Sequence, residues 1–221
     1  MSVRVLLVDD EHMVREGFRL ILETEPDIRV VGEADDGASA VEAALRLTPD
    51  VVLMDIRMRG MDGLESTRAI LSRMSQPPKV VMLTTFDYDE YVYEALKTGA
   101  SAFLLKDASP EKLADAVRVV DRGDALLHPA ITRKLIADFA RRPVPRSGPP
   151  PELKELTQRE LDVMRQLARG LTNGEIAAKL HLGEATVRTH VGHVLAKLGL
   201  RDRTQAVVLA YETGLVEPGQ D

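Results

Sequence analysis

The chain has 221 residues, no cysteine and a formal net charge of −6 at pH 7. The lack of cysteine excludes disulfides and thiolate metal ligands, and no apolar run approaches the roughly 20 residues that a membrane-spanning helix needs. We therefore expect a soluble, cytoplasmic protein that is long enough for two small domains.

The first 110 residues alternate between short apolar runs and segments with helical periodicity. The runs are mostly continuous, which is typical of strands that are covered on both faces of a parallel sheet. We predict five strands: Val3–Val8, Ile28–Gly32, Val51–Met54, Val80–Leu83 and Ala102–Leu105. Between them, apolar residues recur every three or four positions, as at Val14, Phe18 and Ile21. This alternation predicts an α/β domain with a parallel sheet.

Polar residues follow four of these strands. They are Asp9, Asp10, Asp55, Thr84 and Lys106. The carboxyl ends of parallel strands meet at one edge of a sheet, so we expect three carboxylates, a hydroxyl and an amine to converge there. Taken singly, each has an ordinary explanation, since an Asp pair can cap a helix, Thr occurs in strands and Lys is usually solvated. Their joint placement at successive strand ends favours one site.

The residue types indicate what this site would do. Three clustered carboxylates favour a shared hard cation, and Mg²⁺ with oxygen ligands from Asp9, Asp10 and Asp55 is the natural choice. A carboxylate can also attack a phosphoryl group and form an acyl phosphate. Lys106 would then offer a positive charge to a phosphoryl oxygen, and Thr84 a hydroxyl donor.

A proline-rich segment divides the chain. Residues 141–152 hold five prolines and no apolar periodicity, which predicts a semi-rigid linker, and residues 129–140 should form a connecting helix before it. The predicted domains are 1–124 and 153–217, joined by 125–152. Residues 1–140 carry 17 basic and 25 acidic side chains, a net charge of −8, whereas 153–221 carry nine of each. The acidic N-terminal half should therefore not bind nucleic acid unaided.

The last third of the chain is rich in helix signals. Thr157 with Glu160, and Thr172 with Glu175, have the spacing of capping boxes. We predict helices from Thr157 to about Ala168 and over 173–180, 184–198 and 204–213. The third has an apolar stripe at Val187, Val191, Val194, Leu195 and Leu198. A short helix, a tight turn and a longer helix make a helix-turn-helix, whose second helix can enter the DNA major groove.

Polar residues off this stripe predict DNA contacts. Arg188 suits a bidentate pair with guanine, Thr189 a thymine methyl or hydroxyl partner, and Lys197 a phosphate. The other candidates, at helix starts or on the same helix, are Thr172, Asn173, Thr186 and His193. A metal site at His190 and His193 is not favoured, because the pair has no third ligand nearby.

Residues 3–122 resemble the receiver domains of two-component response regulators. The motifs are Leu-Leu-Val-Asp-Asp at 6–10, Val-Leu-Met-Asp-Ile-Arg-Met at 52–58, Met-Asp-Gly at 61–63, Leu-Thr-Thr at 83–85 and Lys106. The resemblance implies a flavodoxin-like, five-stranded parallel sheet of order 2-1-3-4-5. Asp107 follows the lysine where many receivers have proline, which is ordinary in the NarL/LuxR-type subfamily.

The resemblance also implies roles for single residues. Asp55 would be the phospho-acceptor, and Thr84 and Lys106 would hold the phosphoryl oxygens. Asp10, Asp55 and the backbone carbonyl of Arg57 would bind Mg²⁺ directly, with Asp9 acting largely through water. Phe103 occupies the aromatic switch position, although an aromatic residue in the last strand is more often part of the core.

Residues 155–216 resemble the LuxR-type DNA-binding domain of NarL/LuxR (NarL/FixJ) regulators, an all-α domain of four helices. The motifs include Leu-Thr-Gln-Arg-Glu at 156–160, Gly-Leu-Thr-Asn-Gly-Glu-Ile-Ala at 170–177 and Glu-Ala-Thr-Val-Arg-Thr-His-Val at 184–191. The last helix mediates dimerisation in this family, which implies an interface at Val207, Val208 and Tyr211. Packing inside the domain's own core is an equally open alternative for these three.

Together the two resemblances imply a phosphorylation-gated transcription regulator rather than a conventional enzyme. Its expected partners are a sensor histidine kinase, a double-stranded DNA operator and, on phosphorylation, a second copy; RNA polymerase is a further candidate, and no membrane is expected. Two alternatives stay open. In one, the receiver is a phosphorylation-independent dimerisation module. In the other, the protein is a phosphohydrolase or phosphotransferase, although it lacks an evident general acid and substrate pocket.

Overall fold

The apolar runs of the N-terminal half form one parallel sheet in the computed structural model, which describes residues 2–85, 92–123 and 151–216. The strands are β1 (Val3–Val8), β2 (Ile28–Ala34), β3 (Val51–Asp55), β4 (Lys79–Thr84) and β5 (Ala102–Leu105). All pairings are parallel and the order is β2-β1-β3-β4-β5, which confirms the predicted topology. Every residue of β3 is buried, as expected for a central strand with both faces covered.

Strand β2 extends two residues beyond its predicted end. Its register against β1 shifts between Val5 and Leu6, after which residues 32–34 continue the pairing with residues 6–8. The charged Glu33 suggests a strand end in the sequence. However, β2 is an edge strand, where a charged side chain stays within reach of water.

Five helices are seen among the described residues of this half. They are α1 (His12–Glu23), α2 (Gly37–Leu47), α3 (Gly63–Arg73), α4 (Val92–Thr98) and α5 (Pro110–Asp121). Apolar side chains of α1 and α5 share one core cluster with the sheet, whereas α2 packs against α3 and the edge of the sheet around β2. Side chains of Asp36, Asp62 and Ser109 cap α2, α3 and α5, which stabilises each helix start by about 1 kcal/mol.

The described C-terminal residues are helical. A short 3₁₀ helix, Pro151–Glu155, precedes α6 (Gln158–Ala168), α7 (Asn173–Leu180), α8 (Glu184–Lys197) and α9 (Arg203–Glu212). Both predicted capping boxes are present. His181, with a left-handed φ of 54°, ends α7 and turns the chain toward α8. The last two helices end one residue earlier than predicted, and α9 also begins one residue earlier, because helix ends have no sharp sequence signal.

The predicted apolar stripe of α8 is buried to different degrees along its length. Val187 and Val194 are fully buried, whereas Val191, Leu195 and Leu198 are half-buried. The helix therefore contacts the rest of its domain along a narrow seam, and its opposite face is exposed.

The chain divides into two compact units, residues 1–131 and 132–221. The predicted connecting helix and the linker as far as residue 150 lie outside the described residues, so the proposed boundaries at 124 and 152 stay predictions. In the part of the chain that the structure describes, no helix is long and apolar enough to cross a membrane.

Candidate functional site

The carboxyl ends of four neighbouring strands bring the predicted site residues together. Asp9 follows β1, Asp55 ends β3, Thr84 ends β4 and Lys106 follows β5. The Nζ atom of Lys106 lies 2.9 Å from Oδ2 of Asp9 and 3.0 Å from Oδ2 of Asp55. These carboxylates are only 1% and 5% exposed. Two buried acids therefore share one ammonium group.

Asp10 extends this pair into a cluster that suits a divalent cation. One carboxylate oxygen from each of Asp9, Asp10 and Asp55 lies within 4.8 Å of the others. Lys106 supplies one positive charge against three carboxylates, so the cluster keeps a negative charge that a hard cation would neutralise. An all-oxygen donor set fits Mg²⁺, in agreement with the sequence.

The pKa values of Asp55 and Lys106 are both raised, but for different reasons. Burial raises the pKa of Asp55 to about 6, although its hydrogen bond with Lys106 opposes that shift. Burial lowers the pKa of Lys106, but hydrogen bonds to Asp9 and Asp55 outweigh this effect and raise that pKa to about 12. Above pH 6, Asp55 is therefore ionised and poorly solvated, which favours attack on an electrophile.

The Asp55 carboxylate faces a small cleft of about 130 Å³. Its lining residues are Glu11, Asp55, Ile56, Arg57, Thr84, Thr85 and Lys106. The Thr84 hydroxyl donates to the Thr85 carbonyl at 3.0 Å, and the Arg57 amide donates to Asp55 Oδ1 at 3.3 Å. The cleft therefore contains the expected nucleophile, hydroxyl and ammonium group in one space.

Glu11 is a member of the cleft that the sequence prediction missed. Its Oε1 atom lies 3.4 Å from Nζ of Lys106, and its side chain is 63% exposed. The sequence signal for it is the run of three acids, Asp9-Asp10-Glu11. Glu11 adds a third carboxylate partner for Lys106 at the solvent side.

Helix α3 begins in very close contact with the backbone of Asp55. A Cβ atom at Gly63 would lie only 2.0 Å from the carbonyl oxygen of Asp55, and the Gly63 amide donates to the Ile56 carbonyl at 3.0 Å. Only a residue without a side chain fits there. This contact fixes the end of β3, and with it Asp55, against the first turn of α3.

Helix α8 presents a polar face to solvent. Thr186, Arg188, Thr189 and His193 are all exposed. The guanidinium of Arg188 lies 3.6 Å from Glu184, one turn earlier, and the Thr189 hydroxyl is bonded to its own helix. Four of the predicted DNA contacts therefore share one accessible helix.

The two candidates at the start of α7 have structural partners. Thr172 caps the helix, and its hydroxyl and amide bond to Glu175. Oδ1 of Asn173 accepts a hydrogen bond from Nη1 of Arg203 at 2.9 Å. The Asn side chain also has an amide nitrogen with two N–H donors, and a phosphate contact requires such a donor.

Comparisons with known proteins agree with both halves of the chain. The family model for the response regulator receiver domain matches residues 5–118, and the model for bacterial regulatory proteins of the luxR family matches residues 154–210. The chain is 44% identical to the uncharacterized transcriptional regulatory protein YxjL of Bacillus subtilis over 98% of each chain. It is 42% identical to the transcriptional regulatory protein LiaR of the same organism, over 97% of this chain and 99% of LiaR. The chain is a two-component response regulator of the NarL/LuxR family.

The fold of this response regulator is similar to that of a solved relative. The crystal structure of the response regulator ChrA, from a heme-sensing two-component system, is 38% identical to it with a TM-score of 0.53. The similarity covers 97% of this chain and 99% of ChrA.

The ammonium group of Lys197 has a partner inside the response regulator's own DNA-binding domain. Its Nζ atom lies 2.7 Å from Oε2 of Glu160, a residue of α6 that is 3% exposed. The same oxygen accepts hydrogen bonds from the amide and hydroxyl of Thr157, and Nδ1 of His193 lies 3.7 Å from Oε1. The Lys197 bond is the main cause that lowers the pKa of Glu160 to about 2. Lys197 thus links α8 to α6, which competes with the predicted phosphate contact.

The residues predicted to mediate dimerisation are buried within the single chain of the response regulator. Val207, Val208 and Tyr211 are 6%, 5% and 5% exposed, and α9 packs against α6 and α8. The structure has the alternative arrangement, in which these side chains pack inside one chain. Their role in a dimer stays a prediction.

Phe103 is also a core residue in this conformation. It is 1% exposed and lies opposite Met82 in the pairing of β4 with β5. A switch role would require its ring to change position, and that role stays a prediction.

Proposed function

We propose that Asp55 accepts a phosphoryl group and that this modification gates DNA binding by the C-terminal domain. The observation that carries the proposal is the buried Asp55 carboxylate, 3.0 Å from the ammonium group of Lys106, facing a cleft that also contains Thr84. The proposed donor is the phosphohistidine of a sensor histidine kinase or a small phosphodonor such as acetyl phosphate.

The transfer is a substitution at phosphorus. An oxygen of Asp55 bonds to phosphorus while the bond from phosphorus to the imidazole nitrogen of the donor breaks, and the released nitrogen takes up a proton from water. Lys106 already lies within hydrogen-bond distance of Asp55 and would contact one phosphoryl oxygen. The Thr84 hydroxyl would leave the Thr85 carbonyl to donate to another.

Mg²⁺ is the proposed cofactor of this step. The ion would be held by Asp9, Asp10, Asp55 and the backbone carbonyl of Arg57. This assignment is supported by the three Asp side chains, each of which has a carboxylate oxygen within 4.8 Å of the other two. When bound, it would neutralise negative charge on the phosphoryl oxygens. Without the metal ion, the single positive charge of Lys106 would face three carboxylates and a phosphoryl group that repel each other.

DNA recognition is assigned to the exposed face of α8. Arg188 and Thr189 are the proposed base readers, and Thr186 and His193 flank them. Thr172 and Asn173, at the start of α7, are proposed phosphate contacts. Residues 153–221 have no net charge, so a single domain should bind DNA weakly, because phosphate contacts dominate affinity. We therefore propose that phosphorylation promotes a homodimer, which binds two half-sites of an operator.

The phosphorylation step is tested by intact mass spectrometry after incubation with acetyl phosphate and MgCl₂. Wild type should gain one phosphoryl group, and Asp55→Asn should gain none. Asp107→Asn is the matched control, because this exposed carboxyl lies next to Lys106 and its loss should change nothing. Phosphorylation of Asp55→Asn, or its loss in Asp107→Asn, would contradict the assignment.

The gating step is tested with the same three proteins by light scattering and by operator selection from random duplexes. Phosphorylated wild type should form dimers and bind the selected duplex more tightly than the unphosphorylated protein at equal salt. Equal binding by wild type and Asp55→Asn, with and without phosphodonor, would favour a phosphorylation-independent dimerisation module instead.

A further inference from the structure

One arginine of α1 points back at the turn that carries the acidic cluster. The side chain of Arg15 is 12% exposed. Its Nη1 atom donates to the main-chain carbonyl of Asp9 at 2.6 Å, and its Nε atom donates to Oε2 of Glu33 on β2 at 3.0 Å. The guanidinium therefore connects the turn after β1 with the neighbouring edge strand.

The sequence positions of these residues explain the contact. Arg15 lies one helical turn after Glu11, and its amide donates to the Glu11 carbonyl at 3.1 Å. Glu33 lies opposite Leu7 in the pairing of β1 with β2, and the Asp9 amide donates to the carbonyl of Ala34 at 3.2 Å. The β1–α1 turn is thus tied to β2 through its backbone and through the Arg15 side chain.

Each of the three oxygen atoms of Asp9 lies close to a hydrogen-bond donor from a different residue. Oδ1 accepts the amide of Glu11 at 2.9 Å, Oδ2 lies 2.9 Å from Nζ of Lys106, and the main-chain oxygen accepts Nη1 of Arg15. We propose that Arg15 is a positioning residue for the Mg²⁺ site, which it supports by fixing the turn that holds Asp9 and Asp10. This inference rests on the proposed function of the acidic cluster.

Arg19 provides a control that the chain itself offers. Its Nη1 atom lies 3.2 Å from Oε1 of the same Glu33, and its Nε atom lies 3.1 Å from Glu23. Arg19 thus resembles Arg15 in charge, helix and partner. The two arginines differ in two ways: the Arg19 side chain is 42% exposed against 12% for Arg15, and the Arg15 guanidinium also bonds to Asp9.

Loss of the Arg15 guanidinium has opposite effects on Mg²⁺ affinity depending on whether Arg15 acts through its charge or by positioning the ligands. Removing a cation near three carboxylates makes the local potential more negative, which by itself tightens Mg²⁺ binding. Loss of a group that orients the ligands weakens binding, by about 10-fold or more in other metal sites. The sign of the change therefore separates the two explanations.

The test is a titration of the full-length protein with MgCl₂ alone, followed by amide NMR shifts, in wild type, Arg15→Gln and Arg19→Gln. We expect Arg15→Gln to raise the Mg²⁺ dissociation constant about 10-fold, and Arg19→Gln to leave it unchanged or slightly lower. Unchanged or tighter binding by a folded Arg15→Gln protein would overturn the proposal. Equal weakening in both variants would also overturn it.

A second variant covers the case in which Arg15→Gln does not fold. Arg15→Lys keeps the charge, but one ammonium cannot reproduce the fork that bonds Glu33 and Asp9 together. We expect a smaller loss of Mg²⁺ affinity at an unchanged melting temperature, and wild-type affinity in this variant would overturn the proposal. If wild type itself bound no Mg²⁺, the metal site of the proposed function would be wrong as well. This result distinguishes failure of the proposed function from failure of the Arg15 proposal alone.

Discussion

Replacing Lys197 by Gln separates two roles for this residue. The sequence predicts a phosphate contact, whereas the structure has its ammonium group 2.7 Å from Oε2 of Glu160. If the ion pair is the main role, Lys197→Gln should lower the stability of the C-terminal domain and leave the electrostatics of DNA binding unchanged.

The structure sets the size of the effect. A hydrogen bond to a charged group contributes about 1.5 to 3 kcal/mol, but the Lys197 side chain is 36% exposed, so competition from water reduces this value. Glu160 would keep its two hydrogen bonds from Thr157. We therefore expect a loss of about 1 kcal/mol in the free energy of unfolding, or about 4 to 8 °C in Tm for a domain of this size.

Calorimetry of the full-length protein measures the stability of the C-terminal domain. Fluorescence anisotropy of a random-sequence duplex measures DNA affinity at several salt concentrations, which gives the slope of log affinity against log salt. A lost phosphate contact would lower that slope by about 0.9. Lys154→Gln removes the same charge from an exposed position in the same unit and should change neither quantity. A lower slope with an unchanged Tm in Lys197→Gln would refute the ion-pair role.

Three further predictions follow from the same contacts. In Mg²⁺-free buffer, Asp55→Asn should stabilise the receiver by up to about 3 kcal/mol above pH 6, because burial raises the pKa of Asp55 from 3.8 to about 6 and each pKa unit is worth about 1.4 kcal/mol. The stability of wild type should therefore fall as the pH rises from 4 to 6. A lower Tm for the variant than for wild type above pH 6 would contradict this. Gly63→Ala should destabilise by about 1 to 3 kcal/mol in urea unfolding, because its Cβ would lie 2.0 Å from the Asp55 carbonyl, whereas Gly17→Ala, with open space around it, should not destabilise. The lowered pKa of Glu160 predicts that its stabilising effect is complete above about pH 4.5 and is lost as the pH falls toward 2; an acid titration of Glu160→Gln should lack that loss.

Local sequence signals predicted most of the fold because they act over a few residues. Continuous apolar runs identified all five strands, and the two capping boxes fixed the starts of α6 and α7. The end of β2 was missed because Glu33 is polar. Its place in the strand depends on pairing with β1 and on the Arg15 side chain, and neither is visible in the local pattern.

The candidate site was predictable where topology alone decides it. The carboxyl ends of parallel strands must meet, so Asp55 and Lys106 came together as expected although they are distant in sequence. The contact of Lys197 with Glu160, 37 positions apart, depends on how two helices pack, which no spacing rule gives. The burial of Tyr211 likewise depends on which neighbours cover α9.

The strand order places Asp55, at the end of β3, only two strands from the outer edge strand β5 of the receiver. Asp55 on β3 lies opposite Leu83 on β4, and Leu83 lies opposite Leu104 on β5. Neighbouring strands are about 4.8 Å apart, so roughly 10 Å separate the strand of the acceptor from the last strand. The predicted switch, from Asp55 through Thr84 to Phe103, would therefore cross only two rows of backbone hydrogen bonds. The edge strand on the opposite side, β2, lies outside this route and holds the acidic turn through the Arg15 side chain and the Asp9 amide.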